Sequence, residues 1–290
     1  MTLRVVVGYD GSPAAAAAID AGALLFPGAH GWITYLWVPP FASEHVRKRL
    51  WEQARNIDDL IAAEDREGHR EAERITAMGV ILAGAAGWAA EPLLERTYAA
   101  EGTAIAQTAE KVDADLVMVA ARGLGGTDAV LGSVSDMVVH YCSRPVLVVP
   151  HPLLSAEYDV LADGPVVVGW DGSAGAQSAL DTAGRLFSGR PIIAVSVDDD
   201  SEAAAPAGAA PDGPLTHIRI GRGRGRQARA TASAVVAAAD DRGAALVIVG
   251  SRGRSAVREI ILGSVAMGTL HQSHRPVMVV PNRFQPPEER

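Results

Sequence analysis

Short runs of valine and isoleucine alternate with alanine-rich stretches along the whole chain. The strand-like runs of the first part fall at residues 3–8, 31–38, 79–85, 115–120 and 145–149, with helical spacing at 13–25, 102–112 and 133–142. Later runs at 165–169, 191–197, 216–220, 245–250 and 276–280 predict strands, and 174–187, 226–241 and 264–273 predict helices. Residues 41–78 are charge-rich and predict one long helix. Strands that are apolar throughout and separated by helices belong to parallel sheets covered on both faces. The expected class is therefore α/β, with two doubly wound open α/β domains. Each has a five-stranded, mostly parallel sheet flanked by helices.

The division into two comes from an internal repeat. VVVGYDGSPA (5–14) returns as VVVGWDGSA (166–174), and ADLVMVAARG (114–123) returns as AALVIVGSRG (244–253). LGSVSDMVVHYCSRPVLVVP (131–150) returns as LGSVAMGTLHQSHRPVMVVP (262–281). The expected domains are 1–150 and a shortened 165–290, joined by a linker at 151–164. Where the first half has its charge-rich helix, the second has DDDSEAAAPAGAAPDGP (198–214), whose prolines, glycines and acids predict an exposed loop. PVLVVP and PVMVVP, which close the two halves, are expected to pair across a pseudo-two-fold axis.

Composition narrows the setting. The single cysteine, Cys142, cannot make an intrachain disulfide, which predicts a reducing, cytoplasmic location. The N-terminus runs straight into a strand without a signal-peptide layout, and no apolar run is long enough to span a membrane. A net charge of −8 disfavours a general nucleic-acid binder.

Candidate chemistry gathers where doubly wound sheets bind ligands, beyond the carboxyl ends of the strands. Asp10-Gly11-Ser12 and Asp171-Gly172-Ser173 each follow a first strand. Such a turn can cap a helix, or its carboxylate can accept hydrogen bonds from a sugar or base; the residues alone support both. Gly250-Ser251-Arg252-Gly253 follows the fourth strand of the second half, and Gly263-Ser264 opens the next helix nine residues later. Glycines there admit a close ligand, and a helix start suits phosphate oxygens. HIRIGRGRGRQAR (217–229) carries five arginines. Arg222 or Arg224 could approach a polyphosphate, or the run could be a solvated turn.

The chain resembles a tandem universal stress protein. Nucleotide-binding members of that family carry G-2x-G-9x-G-[ST] and an aspartate after strand 1, and the second half matches throughout. The resemblance implies ATP, or ADP or AMP, with Mg as an optional companion. It implies a second-half site of Asp171, Gly172, Ser173, Val197, Gly250, Arg252, Gly253, Gly263, Ser264 and Val265, with Asp171 on the adenine-ribose side and Val197 facing adenine. The first-half set is Asp10, Gly11, Ser12, Val38, Gly123, Gly132, Ser133 and Val134. There the pattern departs: Ala120 replaces the first glycine, and only eight residues separate Gly123 from Gly132. First-half binding therefore stays open.

The functional expectation is an ATP-binding stress or signalling protein, acting through nucleotide-dependent conformation or partner binding, with two tandem chains forming a homodimer. The alternatives are a slow ATPase or nucleotidyl-transfer enzyme, for which no base, metal-binding acid or lysine set stands out, and a nucleotide-free structural protein. His271 and His274 lack the companions of a metal site. No specific nucleic acid or membrane partner is expected.

Overall fold

The computed structural model describes residues 2–37, 44–97, 100–121, 131–197, 215–221, 227–252 and 262–282. In the first half, β1 (Arg4–Gly8) leads to α1 (Pro13–Leu25) and β2 (His30–Trp37). Then come α2 (Glu44–Gln53), α3 (Ile57–Ala85), β3 (Ala89–Arg96), α4 (Glu101–Lys111), β4 (Leu116–Ala120), α5 (Ser133–Tyr141) and β5 (Val146–Val149). A short α6 (Ser155–Tyr158) lies between the halves. The second half follows as β6 (Val166–Gly169), α7 (Ala174–Leu186), β7 (Ile192–Val197), β8 (Leu215–Ile220), α8 (Gln227–Asp240), β9 (Leu246–Gly250), α9 (Ser264–Gln272) and β10 (Val277–Val280).

All ten strands hydrogen-bond into one sheet, in the order β3-β2-β1-β4-β5-β10-β9-β6-β7-β8. Every pairing is parallel except β5 with β10. Each half is thus the expected five-stranded parallel sheet with a doubly wound order. The central strands carry apolar side chains on both faces because helices cover both. One layer holds Val5, Val7, Met118, Leu147, Ile248 and Met278. The other holds Val6, Val117, Val148, Val247 and Val279.

At the seam Met278 pairs with Leu147, flanked by Val277 with Val148 and Val279 with Val146. Leu147 and Met278 are equivalent positions of the internal repeat, so the pseudo-two-fold axis passes between them. A second equivalent pair, Phe26 and Phe187, meets with ring centroids 5.3 Å apart. The seam is therefore isologous, each half offering the same patch to the other. Arg185 of α7 also reaches across, its Nη1 lying 4.0 Å from Oδ1 of the buried Asp115 just before β4.

Two expectations require correction. Residues 79–85, GVILAGA, are the end of α3 and not a strand; the third strand is Ala89–Arg96. A short apolar run does not separate a strand from a buried helical turn. Here Gly79 and Ala83 repeat at four-residue spacing on the buried face of α3. The true strand contains Pro92, Glu91 and Glu95, which disguise it in sequence, yet β3 is an edge strand, where proline is tolerated. The helix expected over 41–78 is two helices. It breaks at Ala54–Asn56, where the Asn56 side chain accepts from the Asp59 amide at 2.9 Å and caps α3. The loop expected at 198–214 lies outside the described residues.

Because Leu147 is fully buried at the axis, Leu147→Ala is expected to lower the unfolding free energy by about 2–5 kcal/mol. A shift in the chemical denaturation midpoint reads this. A loss below about 1 kcal/mol would mean that the seam is loosely packed.

Candidate functional site

The first strand of each half ends in the same turn. One oxygen of Asp10 accepts from the Ser12 amide at 2.9 Å, and one oxygen of Asp171 accepts from the Ser173 amide at 3.0 Å. Gly11 and Gly172 between them sit at φ +80° and +76°, where a side chain would be strained. The serine then caps the helix: Ser12 Oγ accepts from Ala15 N at 3.1 Å, and Ser173 Oγ from Ala176 N at 3.2 Å. The capping role therefore belongs to the serines. The aspartates brace the turn and stay half-buried at the sheet edge.

The fourth strand of each half ends in a loop with the same footing. Ser251 N–H donates to Val280 O, and Gly263 N–H returns to Ser251 O, both at 2.7 Å. In the first half Ala121 N–H donates to Val149 O and Gly132 N–H to Ala121 O, again at 2.7 Å. The first-half loop is one residue shorter, so the missing residue is absorbed between the feet and not at them. Gly132 and Gly263 are the N-cap residues of α5 and α9, and neither helix has a side-chain cap there. Ser133 and Ser264 stand one residue inside and are exposed, with Val134 and Val265 half-buried behind them. The expectation that Ser264 could cap its helix is corrected: the preceding glycine holds that position. Gly123, Gly253, Val38, Arg222 and Arg224 lie outside the described residues.

Within the second half the two features touch. A Cβ built on Gly250 would come within 2.5 Å of the Gly175 carbonyl, and one built on Gly175 would overlap the Arg252 carbonyl and lie 2.5 Å from Asn282 Oδ1. Gly250 is one of the glycines expected to admit a ligand. Its missing side chain lets the first turn of α7 press against the end of β9. The repeat counterparts are Ala14 and Ala120, both buried in one cluster. The alanine that breaks the first-half pattern thus faces the helix side of the sheet. The mutual need of Gly175 and Gly250 was not visible in sequence, because Gly175 belongs to no motif.

Other neighbours differ between the halves. Strand register makes Val197 the counterpart of Leu36, since Gly8 pairs with Thr34 and Gly169 with Val195. Tyr35, the counterpart of Ser196, has its phenol pKa raised by burial and then by nearby Glu101 and Asp10. Tyr9 is raised by burial and by Asp10. Ile75 of α3 packs 3.7 Å from where a Gly11 side chain would begin. In the second half Ser196 Oγ lies 2.7 Å from His217 Nε2. The His217 imidazole is lowered by burial and by Arg219. The first half does bring one arginine to its edge: Arg96 ends β3, but its guanidinium sits over the Trp37 ring and 2.9 Å from Asp65. Burial pushes the Cys142 thiol up to about 12, which marks it as a packing residue. Among the described residues no cluster of three metal-ligating side chains forms, and no helix is long and apolar enough to cross a membrane.

Comparison with known proteins agrees with the architecture. A model of the universal stress protein family matches residues 1–150 and 226–281. Universal stress protein MJ0577 of Methanocaldococcus jannaschii is 41% identical over 46 residues, which is 16% of this chain and 28% of that protein. A universal stress protein from Archaeoglobus fulgidus superposes with a TM-score of 0.65 at 19% identity, covering 96% of this chain and 98% of its own. A Pseudomonas aeruginosa PAO1 protein of unknown function, PA1789, gives 0.51 at 11% identity over 97% of this chain and 92% of its own. At such identities the structural likeness speaks for the fold alone.

Gly175→Ala and Gly250→Ala are each expected to destabilise the chain by about 1–3 kcal/mol through overpacking. Thermal or chemical denaturation without any ligand reads this. Unchanged stability would mean that the Gly175–Gly250 contact is loose.

Proposed function

The chain belongs to the universal stress protein family, and on that premise we propose that its second half binds an adenine nucleotide, ATP foremost. Occupancy then alters conformation or partner choice in a stress or signalling response. The single observation that carries this reading is the contact between the Asp171 turn and the foot of the glycine loop. Through Gly175 and Gly250, an aspartate turn and an uncapped helix start are held at one sheet edge beside the complete G-2x-G-9x-G-S sequence. Free amides at a helix start, with the positive end of its dipole, suit phosphate oxygens. The Asp171 carboxylate suits ribose hydroxyls, and the half-buried Val197 suits the apolar face of a base.

Charge supports the second half over the first. Arg219 stands on the second-half edge strand, whereas Glu101 acts on Tyr35 at the first. A polyphosphate at the first edge would meet Glu101 where the second edge offers Arg219, so the first half is the weaker site. Residues 1–150 and 165–290 are proposed as the two domains, within one chain that pairs with a second copy. A magnesium ion would accompany the phosphates, with no protein ligand assigned to it.

Isothermal titration of ATP, ADP, AMP and cyclic AMP tests the reading. ATP is expected to bind with one dominant site. Asp171→Ala should weaken it by about ten- to a hundred-fold, the value of a hydrogen bond to a charged group, while Asp10→Ala leaves the constant within about two-fold. A flat titration of the wild type, or equal loss in both variants, contradicts the proposal. Steady phosphate release at stoichiometric protein would move it to an ATPase.

A further inference from the structure

The second-half edge encloses one polar atom that the nucleotide reading leaves unused. Asn282 follows β10, and its Oδ1 is buried without a hydrogen-bond partner. Buried acceptors left without a donor are costly and rare in folded proteins. The position of this one is specific. Val280 pairs with Gly250, and Ser251 N–H donates to Val280 O at 2.7 Å. Two residues further on, Asn282 and Arg252 meet at the first turn of α7. A Cβ built on Gly175 would overlap the Arg252 carbonyl oxygen and lie 2.5 Å from Asn282 Oδ1. Two acceptor oxygens thus crowd the place that a side chain would otherwise take.

Arg252 is where the glycine loop leaves its footing. Ser251 is held on both sides, by Val280 O and by the Gly263 amide. Beyond it, the direction of the Arg252 carbonyl decides how the loop departs from β9. The first half is built differently here. The repeat counterpart of Gly175 is Ala14, whose buried methyl fills the equivalent place, and that of Asn282 is His151, which is exposed. The close meeting of a carboxamide with the loop therefore belongs to the half that keeps the complete G-2x-G-9x-G-S sequence.

We propose that Asn282 is a positioning residue of the second-half nucleotide site: its amide nitrogen donates to the Arg252 carbonyl and sets the direction in which the glycine loop leaves β9. The two ends of a carboxamide have the same shape, so a half-turn about its last bond exchanges Nδ2 for Oδ1. A donor then faces the Arg252 carbonyl in place of a second acceptor. The missing side chain of Gly175 is the other half of the device, because it lets both groups in. Asn282 acts on the nucleotide through the backbone of Arg252 and does not touch it. A loop already held in place costs less to order when a ligand arrives. The inference rests on the nucleotide reading of the second half proposed above.

Two measurements test it. In isotope-labelled protein without ligand, the side-chain amide protons of Asn282 are identified by their loss in Asn282→Asp. One of the two is expected to be protected from exchange with water. Calorimetric titration of ATP into folded Asn282→Asp and Asn282→Ala should give affinities about three- to ten-fold below wild type, the value of one hydrogen bond. The uncharged alanine separates the lost donor from the added charge, and ligand-free denaturation midpoints report any general loss of stability. Variants that lose stability but bind ATP as tightly as wild type overturn the proposal and leave the nucleotide reading standing. Two amide protons that exchange equally fast in the wild type also overturn it. A wild type that keeps the protected proton but takes up no ATP overturns the nucleotide reading, and the positioning role falls with it.

Discussion

The antiparallel pairing of β5 with β10 is the constraint on which the architecture rests. It joins two parallel five-stranded sheets into one and covers the strand edge that each half would otherwise expose. Because the strands reverse there, the end of β5 lies beside the start of β10. The carboxyl ends of the two halves therefore point to opposite edges at the seam. The two copies of the aspartate turn and glycine loop do not converge on a shared pocket. Each belongs to its own half, and the Phe26–Phe187 and Arg185–Asp115 contacts tie the halves together away from both.

Within each half, a second constraint shapes the site. The loop after the fourth strand is closed by one backbone hydrogen bond, from the glycine that starts the next helix to the residue that follows the strand. This footing is the same whether the loop has the full length or is one residue short. What differs is the layer beneath. The second half packs glycine on glycine between α7 and β9, and the first half has alanine at both positions. Both solutions keep the same footing at the edge. Ala120 is therefore a weak mark against the first half.

Much of this was legible in the sequence. The repeat VVVGYDGS/VVVGWDGS located the turns, and the closing PVLVVP and PVMVVP runs anticipated the seam. Apolar runs and glycine punctuation carry that information locally. The third strand was hidden because its polar residues and Pro92 suit an exposed edge, while the apolar run before it completes a helix against the core. The Gly175–Gly250 contact and the Tyr35–Glu101–Asp10 cluster were hidden for another reason. Each joins residues far apart in the chain, and only the folded sheet brings them together.

The halves have thus diverged around a common frame. The first has a helical arm and Glu101 near Tyr35, and the second keeps the complete G-2x-G-9x-G-S sequence. The account's central claim is that one of these edges, at the ends of β6 and β9, receives the nucleotide. A crystal structure grown with ATP tests it most directly. Nucleotide lying across Asp171, Gly263 and Ser264, with its phosphates on the first amides of α9, is the predicted result. Nucleotide bound instead along the seam between β5 and β10, or only beside Asp10, would contradict it.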